Sequence, residues 1–159
     1  MVTVGGQGIH MNSKRSSAPT ALVVDDQEAL TVLMRQSLEN GGFQVLTANN
    51  GADALELVRG AAPPIDLLVT DYSMPGMTGL ELAQECCRID AELGVLYVSG
   101  SSPGDALRSD LNAERHGFLA KPFRASELLR SARALLDMEP SSASCKIRGS
   151  QTERFSMEG

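Results

Sequence analysis

Tryptophan is absent from this sequence, and aromatic residues of all kinds make up only 4% of it. Any core must therefore be built from aliphatic side chains. Cations are in the minority too: fourteen Lys and Arg stand against twenty Asp and Glu, a formal charge of -6. Gripping a phosphate backbone needs the opposite balance, so direct nucleic-acid binding is disfavoured. The three cysteines are Cys86, Cys87 and Cys145, an adjacent pair and a distant one, with no CxxC or matching His spacing. Neither a zinc site nor a disulfide framework is suggested, and the thiols read as reduced and cytoplasmic. No apolar run approaches the ~20 residues of a membrane span, and the first residues hold no continuous apolar segment of signal-peptide type.

What is present suits one globular domain: 159 residues, 42% hydrophobic and 21% charged,. Residues 1–19 mix Gly, Ser and scattered charge and read as a disordered leader. Its GGQG lacks the flanking strand and helix of a dinucleotide fingerprint. ALVVDD, 21–26, reads as a buried parallel strand ending in two acids. Leu30, Leu33, Met34 and Leu38 then give one apolar helix face, which Gly41 and Gly42 stop. FQVLTA, 43–48, predicts a second strand, and Asn50 with Asp53 can cap a helix whose inner face uses Leu55 and Val58.

The stretch IDLLVTDYSMPGMTGLEL, 65–82, is the centre of the chain: an apolar strand delivers Asp71 into a Pro/Gly turn, and a helical pattern follows from Leu80. Leu80, Ala83 and Cys87 are expected on that helix's inner face, with Cys86 about 100° away and more exposed. GVLYVSG, 94–100, predicts a fourth strand, and 105–116 a weakly amphipathic fourth helix. GFLAKP, 117–122, is a short fifth strand. Leu128, Leu129, Ala132, Leu135 and Leu136 form the clearest apolar stripe, on a last helix that Pro140 ends. Beyond it, 139–159 is polar and aperiodic and reads as a disordered tail.

Five strands alternating with five helices predict one parallel sheet covered on both faces, its functional crevice beyond the carboxyl ends of the strands. Asp25, Asp26, Asp71, Ser99 and Lys121 all fall at predicted carboxyl ends. Three acids gathered in one crevice repel one another unless a cation neutralises them. Oxygen ligands suit Mg²⁺, which usually takes one or two carboxylates plus a phosphoryl oxygen. With that charge offset, an Asp can attack a phosphoryl donor, while Lys121 and the Ser99 hydroxyl reach phosphoryl oxygens. Together these residues predict a site for covalent aspartyl phosphorylation.

VVDD, LLVTDYSMPGMTGLEL, VLYVSGS and GFLAKPF, in this order, resemble the receiver domain of two-component response regulators, over about residues 20–138. The resemblance implies a flavodoxin-like, doubly wound fold with strand order 2-1-3-4-5. It implies Asp71 as phosphoacceptor, with Asp25, Asp26, Asp71 and the backbone carbonyl of Ser73 as Mg²⁺ ligands. It further implies Ser99 and Phe118 as the switch pair, Lys121 as the active-site lysine, and a cis bond before Pro122. The implied partners are a sensor histidine kinase or phosphotransfer protein as donor, and a downstream protein that reads the fourth helix, fifth strand and fifth helix. Slow loss of the acyl phosphate is also implied. Two departures are mild: Phe118 brings no hydroxyl, and Arg124 stands where a Ser or Thr cap would support the last helix.

A dehalogenase-like phosphatase uses similar groups but needs a DxD motif, and Gln27 follows Asp26 here. The alternative that keeps the fold is a phosphorylation-independent interaction module, which commonly loses an acid or the Lys; this chain has both. With no output domain expected after 140, the signal is expected to pass through protein contacts or phosphate relay.

Overall fold

A computed structural model describes residues 18–60, 64–113 and 115–137; the expected leader and tail lie outside these residues, apart from Ala18 and Pro19. The strands are β1 (Thr20–Val24), β2 (Gln44–Ala48), β3 (Leu67–Asp71), β4 (Gly94–Ser99) and β5 (His116–Ala120). Between and after them run α1 (Glu28–Asn40), α2 (Gly51–Gly60), α3 (Gly79–Ile89), α4 (Asp105–Asp110) and α5 (Ala125–Asp137). The strands form one parallel sheet in the order β2-β1-β3-β4-β5. This is the flavodoxin-like order expected from the sequence.

The three inner strands are buried along their full length, which is why they read as unbroken apolar runs. Alternate residues serve opposite faces. Leu22, Val24, Leu68, Val95 and Tyr97 pack with Ala54, Leu55, Leu82, Ala83, Cys86 and Leu107, from α2, α3 and α4. Ala21, Val23, Leu67, Val69, Leu96 and Val98 pack with Met34, Leu38, Leu128, Ala132 and Leu135, from α1 and α5. The edge strands β2 and β5 are partly exposed.

Local chemistry accounts for the element ends. Gly41 and Gly42 terminate α1, and Gly42 adopts φ +97, where glycine has no Cβ penalty,. Asn50 caps α2, its Oδ1 accepting from the Asp53 N–H at 2.8 Å,. A full capping box starts α3, with Thr78 and Glu81 exchanging hydrogen bonds of 3.0 and 3.1 Å,. The residue before α5 is Arg124, as expected, but Glu127 reaches back to its N–H at 2.8 Å, so half of that cap is made without a hydroxyl.

Three expectations need correction. Along α1 the buried positions are Thr31, Met34, Ser37 and Leu38, while Leu33 is exposed. The two hydroxyls are tolerated inside because Thr31 donates to the Asp25 and Gln27 carbonyls and Ser37 to the Leu33 carbonyl,. On α3 the cysteines exchange roles: Leu82, Ala83 and Cys86 are buried with Gly79, whereas Leu80 and Cys87 flank that stripe and are half-buried. The expected helix over 105–116 stops at Asp110, and His116 opens β5 instead. Only Leu107 of α4 is buried, too small an apolar face to extend a helix further.

Candidate functional site

The strand order decides which side chains meet. β1 and β3 are adjacent, with Val24 paired to Thr70, so the residues leaving their carboxyl ends emerge side by side. Chain connections diverge to opposite sides at that point, which opens a crevice. Asp25 and Asp26 follow β1 and Asp71 is the last residue of β3. One carboxylate oxygen from each lies within 4.8 Å of the others. Ser99 closes β4, and Lys121 follows β5.

Lys121 reaches inward from the edge. Its Nζ stands 3.1 Å from Asp71 Oδ1 and 3.6 Å from Asp25 Oδ2. Its backbone N–H donates to the Ser99 carbonyl at 2.8 Å, which ties the base of this side chain to β4. The Lys121–Pro122 peptide bond is cis.

Asp25 is fully buried. Its Oδ1 accepts from the Gln27 N–H at 2.8 Å, but Oδ2 accepts no hydrogen bond among the described residues. Burial pushes the Asp25 carboxyl above its ordinary range, against the Gln27 hydrogen bond and the Lys121 charge; Asp71 and Asp26 push it the same way as burial. One ammonium thus serves a cluster of three carboxylates while in contact with two of them, and the most deeply buried carries the deficit,. A buried oxygen without a donor, beside two more carboxylates, fits a hard divalent cation such as Mg²⁺.

The turn beyond Asp71 is built close against it. Tyr72 N–H bonds the Val98 carbonyl at 3.0 Å, and Gly79 N–H bonds the Tyr72 carbonyl at 2.8 Å. A Cβ at Gly79 would stand 2.3 Å from the Asp71 carbonyl oxygen, so glycine is what lets α3 begin there,. Ser73 lies exposed on this turn. The buried Ser99 hydroxyl accepts from the Ser101 N–H at 3.1 Å. Phe118, on β5, is half-buried and packs against the α2–α3–α4 side of the core.

The five strand-end residues named from the sequence therefore share one end of the sheet, with Asp25, Asp26, Asp71 and Lys121 in a single cluster. Several supporting groups had no sequence signal. The Gln27 N–H that holds Asp25 and the Thr31 and Asn49 side chains that bond its carbonyl act through backbone geometry. Gly79 belongs to the Pro/Gly turn expected from the sequence, but that its missing Cβ lets α3 start against Asp71 shows only in three dimensions.

Residues 21–133 match the family model described as the response regulator receiver domain. Among curated relatives, the response regulator MprA of Mycobacterium leprae (strain TN) is 36% identical over 115 residues, 72% of this chain and 50% of its own length. The sensor kinase CckA of Brucella abortus (strain 2308) is 30% identical over 125 residues, 78% of this chain but 13% of that protein. The chain thus spans half or less of these relatives. Among solved structures, the response regulator protein TrrA of Thermotoga maritima, in complex with Mg(2+)-BeF, superposes with a TM-score of 0.63 at 29% identity, covering 74% of this chain and 99% of that one.

Proposed function

The chain belongs to the response regulator receiver domain family, and on that footing we propose that Asp71 accepts a phosphoryl group from a phosphohistidine of a sensor kinase or phosphotransfer protein. The observation that carries this reading is the Lys121 ammonium bridging Asp71 and Asp25 at 3.1 and 3.6 Å in a crevice short of positive charge. The matches to a response regulator and to a sensor kinase support a donor of that class.

In the transfer, an Asp71 carboxylate oxygen attacks phosphorus and the P–N bond to the donor imidazole breaks, its electron pair staying on that nitrogen. Lys121 holds the carboxylate in place and offers its charge to the group that arrives. Asp25, Asp26, Asp71 and the Ser73 carbonyl would hold Mg²⁺. Bound there, the ion supplies charge that offsets carboxylate repulsion and the negative charge of the transferring group. Ser99 trades its bond with Ser101 for one to a phosphoryl oxygen, and Phe118 moves into the space it leaves. The surface of α4, β5 and α5 shifts between two states and is read by a downstream protein. Water later hydrolyses the acyl phosphate and resets Asp71.

Incubation with a small-molecule phosphodonor tests the reading. One phosphoryl group per chain is expected with Mg²⁺ present, and none after chelation or in Asp71→Asn. Equal labelling of Asp71→Asn would overturn the assignment, and a parent protein that takes no label under any condition would be a phosphorylation-independent module of this fold.

A further inference from the structure

A second group of reactive side chains lies on the α3–α4 flank, away from the carboxylate crevice. His116 Nδ1 stands 2.7 Å from Asp110 Oδ2, and Tyr97 donates its hydroxyl to that same oxygen at 2.6 Å. On the other side of the imidazole, Nε2 lies 3.8 Å from Cys87 Sγ. The Tyr97 ring meets the His116 ring edge to face, with centroids 6.4 Å apart. Cys87, His116 and Asp110 line one open pocket of about 440 Å³ with Ala83, Gln84 and Arg88.

The hydrogen-bond pattern fixes the imidazole's roles. Burial would raise Asp110, but its bonds with His116 and Tyr97 and the His116 charge outweigh burial and hold it below the ordinary carboxylate range. A carboxylate is acceptor-only, so the imidazole directs Nδ1–H at it. In the neutral ring this leaves the Nε2 lone pair facing the Cys87 thiol. Thiol, imidazole and carboxylate in line are the arrangement that activates a sulfur nucleophile.

We propose that Cys87 is a thiol-modification site that takes up small disulfides from this pocket, with His116 as its general base and Asp110 as the positioning residue. The proton of Cys87 passes to His116 Nε2, and the thiolate attacks one sulfur of the disulfide. The incoming S–S bond breaks as the Cys87–S bond forms, and the departing thiolate takes up a proton from His116. The chemistry neither uses nor requires Asp71. Arg88 at the pocket wall is ion-paired with Glu85, and the Asp110 carboxylate lies on the same wall, so the lining sets no charge preference and oxidised glutathione serves as the small-disulfide probe. The neighbouring Cys86 is the internal contrast: it is fully buried, and burial foremost pushes its thiol up to about 12.

Oxidised glutathione with peptide-resolved mass spectrometry tests the proposal on the full chain. The mixed disulfide at Cys87 is expected to form at least about 100-fold faster in the folded protein than in the urea-unfolded chain, the lower end of what a positioned general base contributes. Cys86 stays unmodified in the folded protein. His116→Gln slows the reaction by about the same factor, and Asp110→Asn moves the acid limb of the pH–rate profile to lower pH, because the imidazolium loses its carboxylate partner, without changing the site modified,. A Cys87 rate no higher in the folded than in the unfolded chain overturns the proposal, as does an adduct at Cys86 instead. The folded-to-unfolded ratio needs no substitution, so it decides the question even where His116→Gln weakens the fold.

Discussion

Asp25 in the strand-end crevice and Asp110 on the α3–α4 flank are both withdrawn from water, yet their surroundings act on them in opposite directions. Asp110 Oδ2 receives both the Tyr97 hydroxyl and His116, and its carboxyl is held below the ordinary range despite burial. Asp25 has one bond to Gln27, an oxygen that accepts no hydrogen bond among the described residues and has only the Lys121 ammonium at 3.6 Å, and two carboxylate neighbours, and burial holds its carboxyl above that range. The first cluster is satisfied within itself and fastens α4 to the sheet. The second is left short of positive charge, as the proposed role in taking up a cation and a phosphoryl group requires.

Breaking the crevice should have the larger effect on chemistry. Lys121→Met removes the ammonium beside Asp71 and is expected to slow labelling by a small phosphodonor by about 100-fold, the scale of losing one preorganised charge donor. Asp110→Asn should alter that initial rate by less than about threefold, since among the described residues no hydrogen bond or ion pair joins the two clusters directly,. A comparable loss in both variants would dissolve the distinction between them.

Breaking the flank cluster should have the larger effect on stability. Asp110→Ala leaves the buried Tyr97 hydroxyl and His116 without their acceptor, and urea denaturation should show a loss of about 2–3 kcal/mol. Its pH dependence has a definite sign. A carboxyl held below its ordinary value of 3.8 contributes stability that is fully present above that value and is lost as pH falls through the lower folded value,. The parent's advantage over Asp110→Asn should therefore shrink as pH falls below about 4,.

The smallest effect has the opposite sign. Asp25→Asn keeps an oxygen for the Gln27 N–H while removing a buried charge, so the metal-free fold should gain on the order of 1 kcal/mol. The same variant should lose Mg²⁺-dependent labelling. A destabilised Asp25→Asn in denaturant titration would mean that the Asp25 charge is already compensated.

The same comparison explains what the sequence could reveal. The crevice was legible because parallel β/α topology sends every strand's carboxyl end to one side, so linear position after an apolar run was enough to gather Asp25, Asp26, Asp71, Ser99 and Lys121. The sheet itself was legible for a like reason: β1, β3 and β4 are buried on both faces and leave unbroken apolar runs. The flank cluster was not legible, because Tyr97, Asp110, His116 and Cys87 come from four elements and meet through side-chain reach rather than any repeat. Helix faces fell between these cases. Hydrophobicity alone put Leu33 and Cys87 inside, whereas hydrogen-bonded Thr31 and Ser37 took the buried side of α1, and the Gly79-Leu82-Ala83-Cys86 stripe took that of α3.

Fluorine NMR of the protein with beryllofluoride, a mimic of the phosphoryl group, probes the crevice most directly. The parent with Mg²⁺ should show a bound fluoride resonance that disappears on chelation and is absent in Asp71→Asn, while Asp110→Asn retains it. A bound resonance that persists in Asp71→Asn, or its absence from the parent with Mg²⁺, would contradict the account.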